Sequence, residues 1–431
     1  MNNDLQAAPS AAPTDQPSVE YASYEADRDA ADVTRIWREV RWIDDEDTER
    51  AALRRFLDGG PVEVARVDGV AECAVARTMG AFDLDQTRVS LCGITGVTTS
   101  HIGRKLGLAS TLTSRALRNG AGEGAAIAAL GMFEQGFYDR FGFGTGAYAY
   151  ETMFDPSSLR IDHVAYRRPV RLGDDDLDDM FRATINRRQH HGAVRLHSAE
   201  QFAAEWAFIP DRVALGYRDV DGAVSHFVIG SLKEEYGPFR VRWFIAQSDD
   251  QVLDLLRLLR ELADQFHTVK MAEPPGVQLQ ALLDQPIRQR SRTKDAANAT
   301  SADALAWWQA RILDPAACAT GVRWTGHPVE FVLDLTDPVA RFLDPAEGWS
   351  GVAGRYRVSV GDPSTVVRID TEAPVDGPVM RASVGAWTRL WLGIVSASTL
   401  ALGAEIDAPA DLCAALDQAV RLPRAEPGIY F

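Results

Sequence analysis

The feature that most constrains the fold is a change of hydrophobic period between residues 87 and 132. TRVSLCGITGV (87–97) carries β-formers with partial alternation. SHIGRKLGLASTLTSRAL (100–117) follows directly, with Leu108, Leu112, Ala116 and Leu117 on one helical face and a stop signal at Asn119 and Gly120. AAIAALGM (125–132) is a short, continuous apolar run, which fits a strand buried on both faces. Strand, helix and strand in that order predict a βαβ unit with parallel neighbours.

Where the first strand of that unit meets the helix, Arg104, Gly107 and Ala109 stand in the order RxxGxA. A helix N-terminus offers unpaired N–H groups and a positive dipole end, and small residues let a pyrophosphate approach the backbone closely. The same pattern also describes an ordinary capped helix. FGFGTG, further on, reads as a turn, because neither a helix pattern nor Lys-Ser/Thr follows it.

Around this unit the chain reads as mixed α+β. Two helices are predicted before it, one through Val33, Ile36, Trp37 and Val40 and one over 48–57, then strands at 61–67 and 70–82. A boundary is expected near Asp155 and Pro156, where the strand-like YAYETMF ends. The middle region predicts an acidic helix start at 173–188 and a hairpin turning on Asp221 and Gly222. A strand at 238–246 should follow, then a helix from Val252 to Phe266 capped by Ser248 or Asp249. Residues 291–304 read as a linker, ALAWWQARIL (304–313) as a helix, and HPVEFVLDL, GRYRVSV and WTRLWLGIV as elements of a last α+β unit. With 431 residues, the length fits three domains.

A net charge of −16 disfavours a nucleic-acid partner and suits a cationic one, although acidity also simply keeps proteins soluble. Cys73, Cys92, Cys318 and Cys413 are far apart and read as buried side chains in a reducing compartment. His190 and His191 lack metal-ligand spacing and read as solvated helix-end residues, and no metal is expected. The first twenty residues read as a disordered tail and not a signal peptide, and no stretch is long enough to span a bilayer.

The motif after a strand, together with EQGFYDRFGFG at 134–144, resembles the GCN5-related N-acetyltransferases (GNAT), and within them the enhanced intracellular survival (Eis) branch. The resemblance covers roughly residues 20–431 and extends to the aromatic C-terminus GIYF. It implies a disordered tail (1–20), an N-terminal GNAT domain with the acetyl-CoA site (21–155) and a second GNAT-like domain without a donor site (156–300). A sterol-carrier-like domain (301–431) would complete a cytoplasmic chain that assembles as a hexamer.

The resemblance also implies roles for individual residues. Tyr138 takes the position of the general acid, and the carboxylate of Phe431 that of the general base. Thr95, Gly96 and Val97, then Arg104, Lys105, Leu106, Gly107, Leu108, Ala109 and Ser110, match the segments that hold coenzyme A. Phe133 and Glu134 match a second donor contact, and Trp42 and Asp44 the acceptor pocket. An ungapped alignment would place Ile102 at the first motif position and Lys105 at the glycine; the gapped register, which restores Arg, Gly and Ala together, is preferred. The activity implied is transfer of acetyl from acetyl-CoA to a primary amine, an aminoglycoside or another polyamine-like acceptor. A hydrophobic-ligand carrier with an idle acetyltransferase fold is the alternative.

Overall fold

In the computed structural model, which describes residues 17–44, 46–132, 134, 136–232, 234–284, 300–372 and 376–431, the βαβ unit lies at the centre of the first sheet. The chain enters through β1 (Val19–Ser23), α1 (Ala26–Glu39) and α2 (Asp47–Asp58). Residues 1–16 of the expected tail lie outside the described residues, and Val19 and Glu20 already pair in β1. β2 (Val62–Val67), β3 (Val70–Leu84) and β4 (Thr87–Thr99) extend the sheet antiparallel, and α3 (Leu108–Gly122) crosses to β5 (Ile127–Gly131), parallel to β4. The expected helix stop at Asn119 and Gly120 is corrected, since α3 runs on to Gly122. Gly120 serves packing instead: a Cβ there would lie 2.5 Å from the Cys92 sulfur.

The middle stretch comprises β6 (Gly144–Thr145), β7 (Ala149–Phe154), β8 (Val170–Arg171), α4 (Leu177–Ile185), β9 (Val194–Leu196) and α5 (Ala199–Ala207). It continues with β10 (Arg212–Arg218), β11 (Val224–Ser231), β12 (Phe239–Ile245), α6 (Asp249–Glu261) and β13 (Val269–Ala272). Ser248 caps α6 by accepting the Gln251 amide. The helix stops at Glu261, so Phe266, expected in it, instead reaches the core from the turn beyond and stacks on Phe239. β9 leaves this stretch and pairs with β3, where the buried Arg195 meets the buried Asp83 at 2.6 Å. Removing Asp83 would strand the buried Arg195 charge, at a cost of roughly 3–5 kcal/mol, whereas removing Arg195 leaves Asp83 its second partner, Arg88, at 2.7 Å.

The helix expected over 304–313 is corrected to two strands, β14 (Ser301–Leu305) and β15 (Trp308–Ile312). β14 pairs with β7, and β15 inserts between β5 and β6. Every residue of β15 is buried, so the strand shows no alternation, and its two polar residues find partners inside the protein although Gln309 Oε1 and Arg311 Nε are left without one. Gln309 bonds Asp139 and Thr145, and Arg311 pairs with Asp337 at 2.7 Å. Most of the expected linker, 291–299, lies outside the described residues.

The last part holds α7 (Pro315–Ala319), β16 (Val329–Thr336), β17 (Gly354–Val360), β18 (Thr365–Ile369), β19 (Val379–Ser383), α8 (Val384–Trp391), α9 (Ala397–Leu402), β20 (Ile406–Asp407) and α10 (Ala410–Ala419). Its five-stranded sheet runs β18-β17-β16-β19-β20. Trp308, Trp387 and Trp391 are fully buried in a core that this sheet shares with β5 and β15. The first and last sheets are therefore welded through one apolar body. No helix among the described residues is long and apolar enough to cross a membrane.

Candidate active site

β4 carries two regions with different partners. Leu91 to Ile94 pair in parallel with Ile127 to Leu130, and from Thr95 onward the pairing is with β3 alone. Opposite Ala74 to Ala76, β4 also bulges: Thr95 and Thr98 are paired, so Gly96 and Val97 face one residue. Gly96 has φ +60°, and a Cβ there would lie 3.2 Å from the Phe56 ring. The edge of β4 facing the end of β5 thus presents backbone groups beyond Ile94 with no strand to satisfy them.

The loop from Ser100 leads into α3 through Gly107, the N-cap, which has φ +78° and open space where a Cβ would be. No side chain caps the helix and no acid lies in its first turn, so its leading N–H groups are left for water or an anion. Arg104, Lys105 and Leu106 are exposed, and neither cation has an ion-pair partner among the described residues. Leu108 is buried in the core beneath β4, Ser110 is buried, and Ala109 packs at its edge. Glu134 is exposed, and Phe133 lies outside the described residues.

Tyr138 opens a 3₁₀ turn, Tyr138–Phe141, just past β5. It is 2% exposed and packed edge-on to Phe137 and Phe143 at 4.9 and 6.1 Å. None of the described residues hydrogen-bonds its hydroxyl. Burial pushes the phenol above its ordinary value, and Cys73 and Glu134 act in the same direction. Cys73 is itself pushed up to about 12 by burial, so it stays a neutral thiol.

These parts meet in one cleft of about 570 Å³, a volume suited to a small molecule. Thr95, Gly96, Val97 and Tyr138 line one side, and Trp42, Trp37 and Phe56 another. Trp42 is held edge-on to Trp37 at 5.1 Å. The middle stretch contributes Glu205, Phe208, Arg242 and Trp243, and the chain end Tyr430 and Phe431. Asp44, expected in the pocket, does not line the cleft: it is exposed, in a turn whose backbone is held by Glu49 accepting the Asp44 amide at 2.6 Å.

The chain end reaches the cleft because residues 426–428 are latched to the segment between α4 and β9. Glu426 donates its amide to the His191 carbonyl at 3.0 Å, and the Val194 amide donates to Pro427 at 3.1 Å. Arg187, buried, donates to the same Pro427 carbonyl at 3.0 Å. Burial, followed by the charge of Arg195, pulls Arg187 down to about 9, which still leaves it cationic at neutral pH. His190 Nε2 faces the Glu426 carbonyl at 2.8 Å; burial and then Arg187 pull this imidazole down to about 4. His190 and His191 are therefore not the solvated residues expected: the chain end covers His190, and the His191 ring is buried between the Leu392 carbonyl and the Asp85 amide, each at 3.0 Å. Gly428 permits the approach: at φ +78°, a Cβ there would lie 2.9 Å from the His190 ring. Beyond the latch, Phe431 packs edge-on to Trp307 at 5.6 Å, with its carboxyl oxygen 2.7 Å from where a Cβ on Gly131 would be. The terminal carboxyl group thus lies over the end of β5, in the cleft that Tyr138 lines.

Residues 23–146 match the family described as Acetyltransferase (GNAT) domain. An uncharacterized N-acetyltransferase of Streptomyces avermitilis is 27% identical over 399 residues, covering 82% of this chain and 87% of that protein. This chain is an N-acetyltransferase. The acetyltransferase is similar in fold to Eis1 from Mycobacterium abscessus, with TM-score 0.73, 17% identity and coverage of 96% and 100% of the two chains. It is likewise similar in fold to a GCN5-related N-acetyltransferase from Kribbella flavida, with TM-score 0.72, 19% identity and coverage of 96% and 99%. The GNAT fold uses acetyl-CoA and implies an amine acceptor. Among the described residues of the acetyltransferase, no group of three or more His, Cys, Asp or Glu could hold a metal ion.

Sequence reasoning missed the cleft residues of the middle stretch. Glu205 reaches the cleft water while protein encloses it on its other sides. That enclosure pushes its carboxyl above the ordinary value, and Arg242 pulls it the other way. No local motif marks either residue.

Proposed function

We propose that the acetyltransferase moves acetyl directly from acetyl-CoA to a primary amine in a ternary complex, with Tyr138 as general acid and the Phe431 carboxylate as general base. The observation that carries this reading is the convergence of the β4 bulge, Tyr138 and the chain terminus on one cleft. Acetyl-CoA supplies the acyl group in activated form, as a thioester. Thr95 to Val97 would receive its pantetheine arm along the unpaired edge of β4. The first turn of α3, from Gly107 to Ser110, would take the pyrophosphate, flanked by Arg104, Lys105 and Leu106, with Phe133 and Glu134 as the second contact. The fit is favourable, since Gly107 leaves open space and both cations lack partners among the described residues.

The Phe431 carboxylate would orient the acceptor ammonium and take up its proton, directly or through water. An α-carboxyl, ordinarily near ~3.5, is a weak base unless enclosed, so orientation is the larger part of its work. Tyr138 would return a proton to the departing sulfur. Trp42 would form acceptor wall, whereas Asp44 is left without a role in the cleft.

The proposed division near residues 155 and 300 follows the sheets only loosely: β7, which ends at Phe154, already belongs to the second sheet, while β9 and β15 return to the first sheet and β14 to the second. A sterol-carrier-like last domain, a hexameric assembly and aminoglycoside or polyamine acceptors belong to the Eis resemblance.

A thiol-release assay with acetyl-CoA against amines, aminoglycosides included, tests the activity; release with none of them would overturn the reading. Gly107→Glu tests the donor site. It brings bulk and negative charge to the proposed pyrophosphate position, at a backbone angle that disfavours any side chain. Acetyl-CoA affinity is expected to fall at least about 10²-fold by calorimetry, the scale of two to three kcal/mol. Normal affinity would overturn the preferred register of the motif.

A further inference from the structure

A cleft that binds only polycations should exclude guanidinium groups, yet Arg242 lines this one. Its place there is built by the backbone. Along β11 and β12, Ile229 pairs with Trp243 and Gly230 with Val241, so Arg242 is the extra residue of a β-bulge. Neighbouring residues of a regular strand point to opposite faces, but here Arg242 and Trp243 both line the cleft. The bulge thus presents a cation where a plain strand could present only one of the two side chains.

Among the described residues this cation has no ion-pair partner to explain it. Arg242 makes no ion pair with Glu205, with the Phe431 carboxylate or with any other described residue. Its charge is nevertheless felt by both neighbours, drawing the Glu205 carboxyl and the Tyr430 hydroxyl downward against the burial that raises each. The guanidinium therefore stands on the acceptor side of the cleft, near the chain terminus. Around it the walls are aromatic. Trp243 stacks on Phe202 at 4.6 Å, and these two rings with Phe181 and Leu196 line an adjoining recess of about 60 Å³ that also reaches Phe431.

The cleft so described offers a carboxylate at the chain end for an ammonium, an aromatic and apolar recess for a body, and one uncommitted guanidinium for an anion. A planar, fork-shaped donor set is matched by a carboxylate. Resting on the acetyl-transfer reading above, we propose that Arg242 anchors a carboxylate of the acceptor. The preferred acceptor is then an amino-acid-like zwitterion, a primary amine that also carries a carboxylate on an apolar or aromatic body. Aminoglycosides, which bring several positive charges and no anion to Arg242, are poorer acceptors.

The test compares kcat/KM, expressed per neutral amine because amidation also lowers the pKa of an adjacent amine, for pairs in which the anion becomes an amide, L-phenylalanine against L-phenylalaninamide and 4-(aminomethyl)benzoic acid against its carboxamide. A deoxystreptamine aminoglycoside is included in the panel. The parent protein is expected to favour at least one carboxylate over its amide by about tenfold or more, the scale of a charge-assisted hydrogen-bond pair in a wet cleft. In Arg242→Gln that ratio should fall toward one through KM, and Arg242→Lys, which keeps the charge, should retain part of it. A parent that acetylates carboxylates and amides equally overturns this proposal and leaves the acetyl-transfer reading standing. A preference that survives in Arg242→Gln also overturns it, as does one lost equally in Arg242→Lys. A protein that acetylates no amine at all overturns both.

Discussion

Two glycines appended after Phe431 are expected to lower amine acetylation by about 10²-fold or more, the scale of a lost positioned base. The extension keeps every side chain but converts the terminal carboxylate to a neutral amide and carries the charge up to ~7 Å away. Acetyl-CoA affinity and melting temperature should hardly change. The latch that holds residues 426–428 precedes the last residue, and Phe431 itself is only partly buried. A merely docked terminus would give the opposite result, altered stability with near-normal turnover per folded molecule. An extended, fully folded protein working at the parent rate would remove the carboxylate from the mechanism.

Gly131 gives an independent route to the same group. A side chain there would meet the Phe431 carboxyl oxygen, so Gly131→Val should displace the carboxylate without changing its charge. The expected fall in kcat is about 10- to 10²-fold, as for a misplacement of about an ångström. Steady-state kinetics at saturating acetyl-CoA would read it, and an unchanged kcat would mean that the position of the carboxylate is immaterial.

Much of the first sheet was legible because its signals are local. The switch from partial alternation to a 3.6-residue stripe to a short apolar run is written between Thr87 and Met132, and each piece forms there. β15 defeated the same reasoning. Trp307 and Trp308 beside Ala310, Ile312 and Leu313 give no period, and only the insertion between β5 and β6, distant in sequence, makes Trp308–Ile312 a strand. His190 and His191 misled for a related reason: the carbonyl of Glu426 that His190 faces is supplied by the chain end.

The cleft divides along the same line. Tyr138 and the β4 residues belong to stretches with a recognisable pattern, and Trp42 follows Trp37 closely enough to be placed beside it. Glu205, Arg242 and Trp243 carry no such pattern. Their role depends on how a second sheet faces the first, and for Arg242 on a bulge that appears only when Ile229 and Gly230 are paired. Asp44 shows the converse, an acid in a promising local pattern whose turn leaves it outside the cleft.

Tyr138→Phe is expected to lower turnover by about 10²- to 10⁴-fold, the range for loss of a positioned general acid, with acetyl-CoA binding retained. The ring keeps its edge-on contacts with Phe137 and Phe143, and no described hydrogen bond is broken, so thermal stability should not fall. The pH dependence separates this role from others. A phenol acts as an acid only while protonated, and burial raises its pKa above the ordinary value of 10.0, so the protonated form persists to higher pH than for a free tyrosine. Parent kcat should therefore show no falling alkaline limb below about pH 10 that Tyr138→Phe abolishes. The rise at lower pH reports acceptor and carboxylate ionisation and should survive in the variant. Turnover by Tyr138→Phe within about threefold of the parent would show that the sulfur takes its proton from elsewhere. A rise in parent kcat centred near pH 8 that vanishes in the variant would show instead that Tyr138 works as a phenolate base, active only once deprotonated, which reverses the assignment of acid and base between Tyr138 and Phe431.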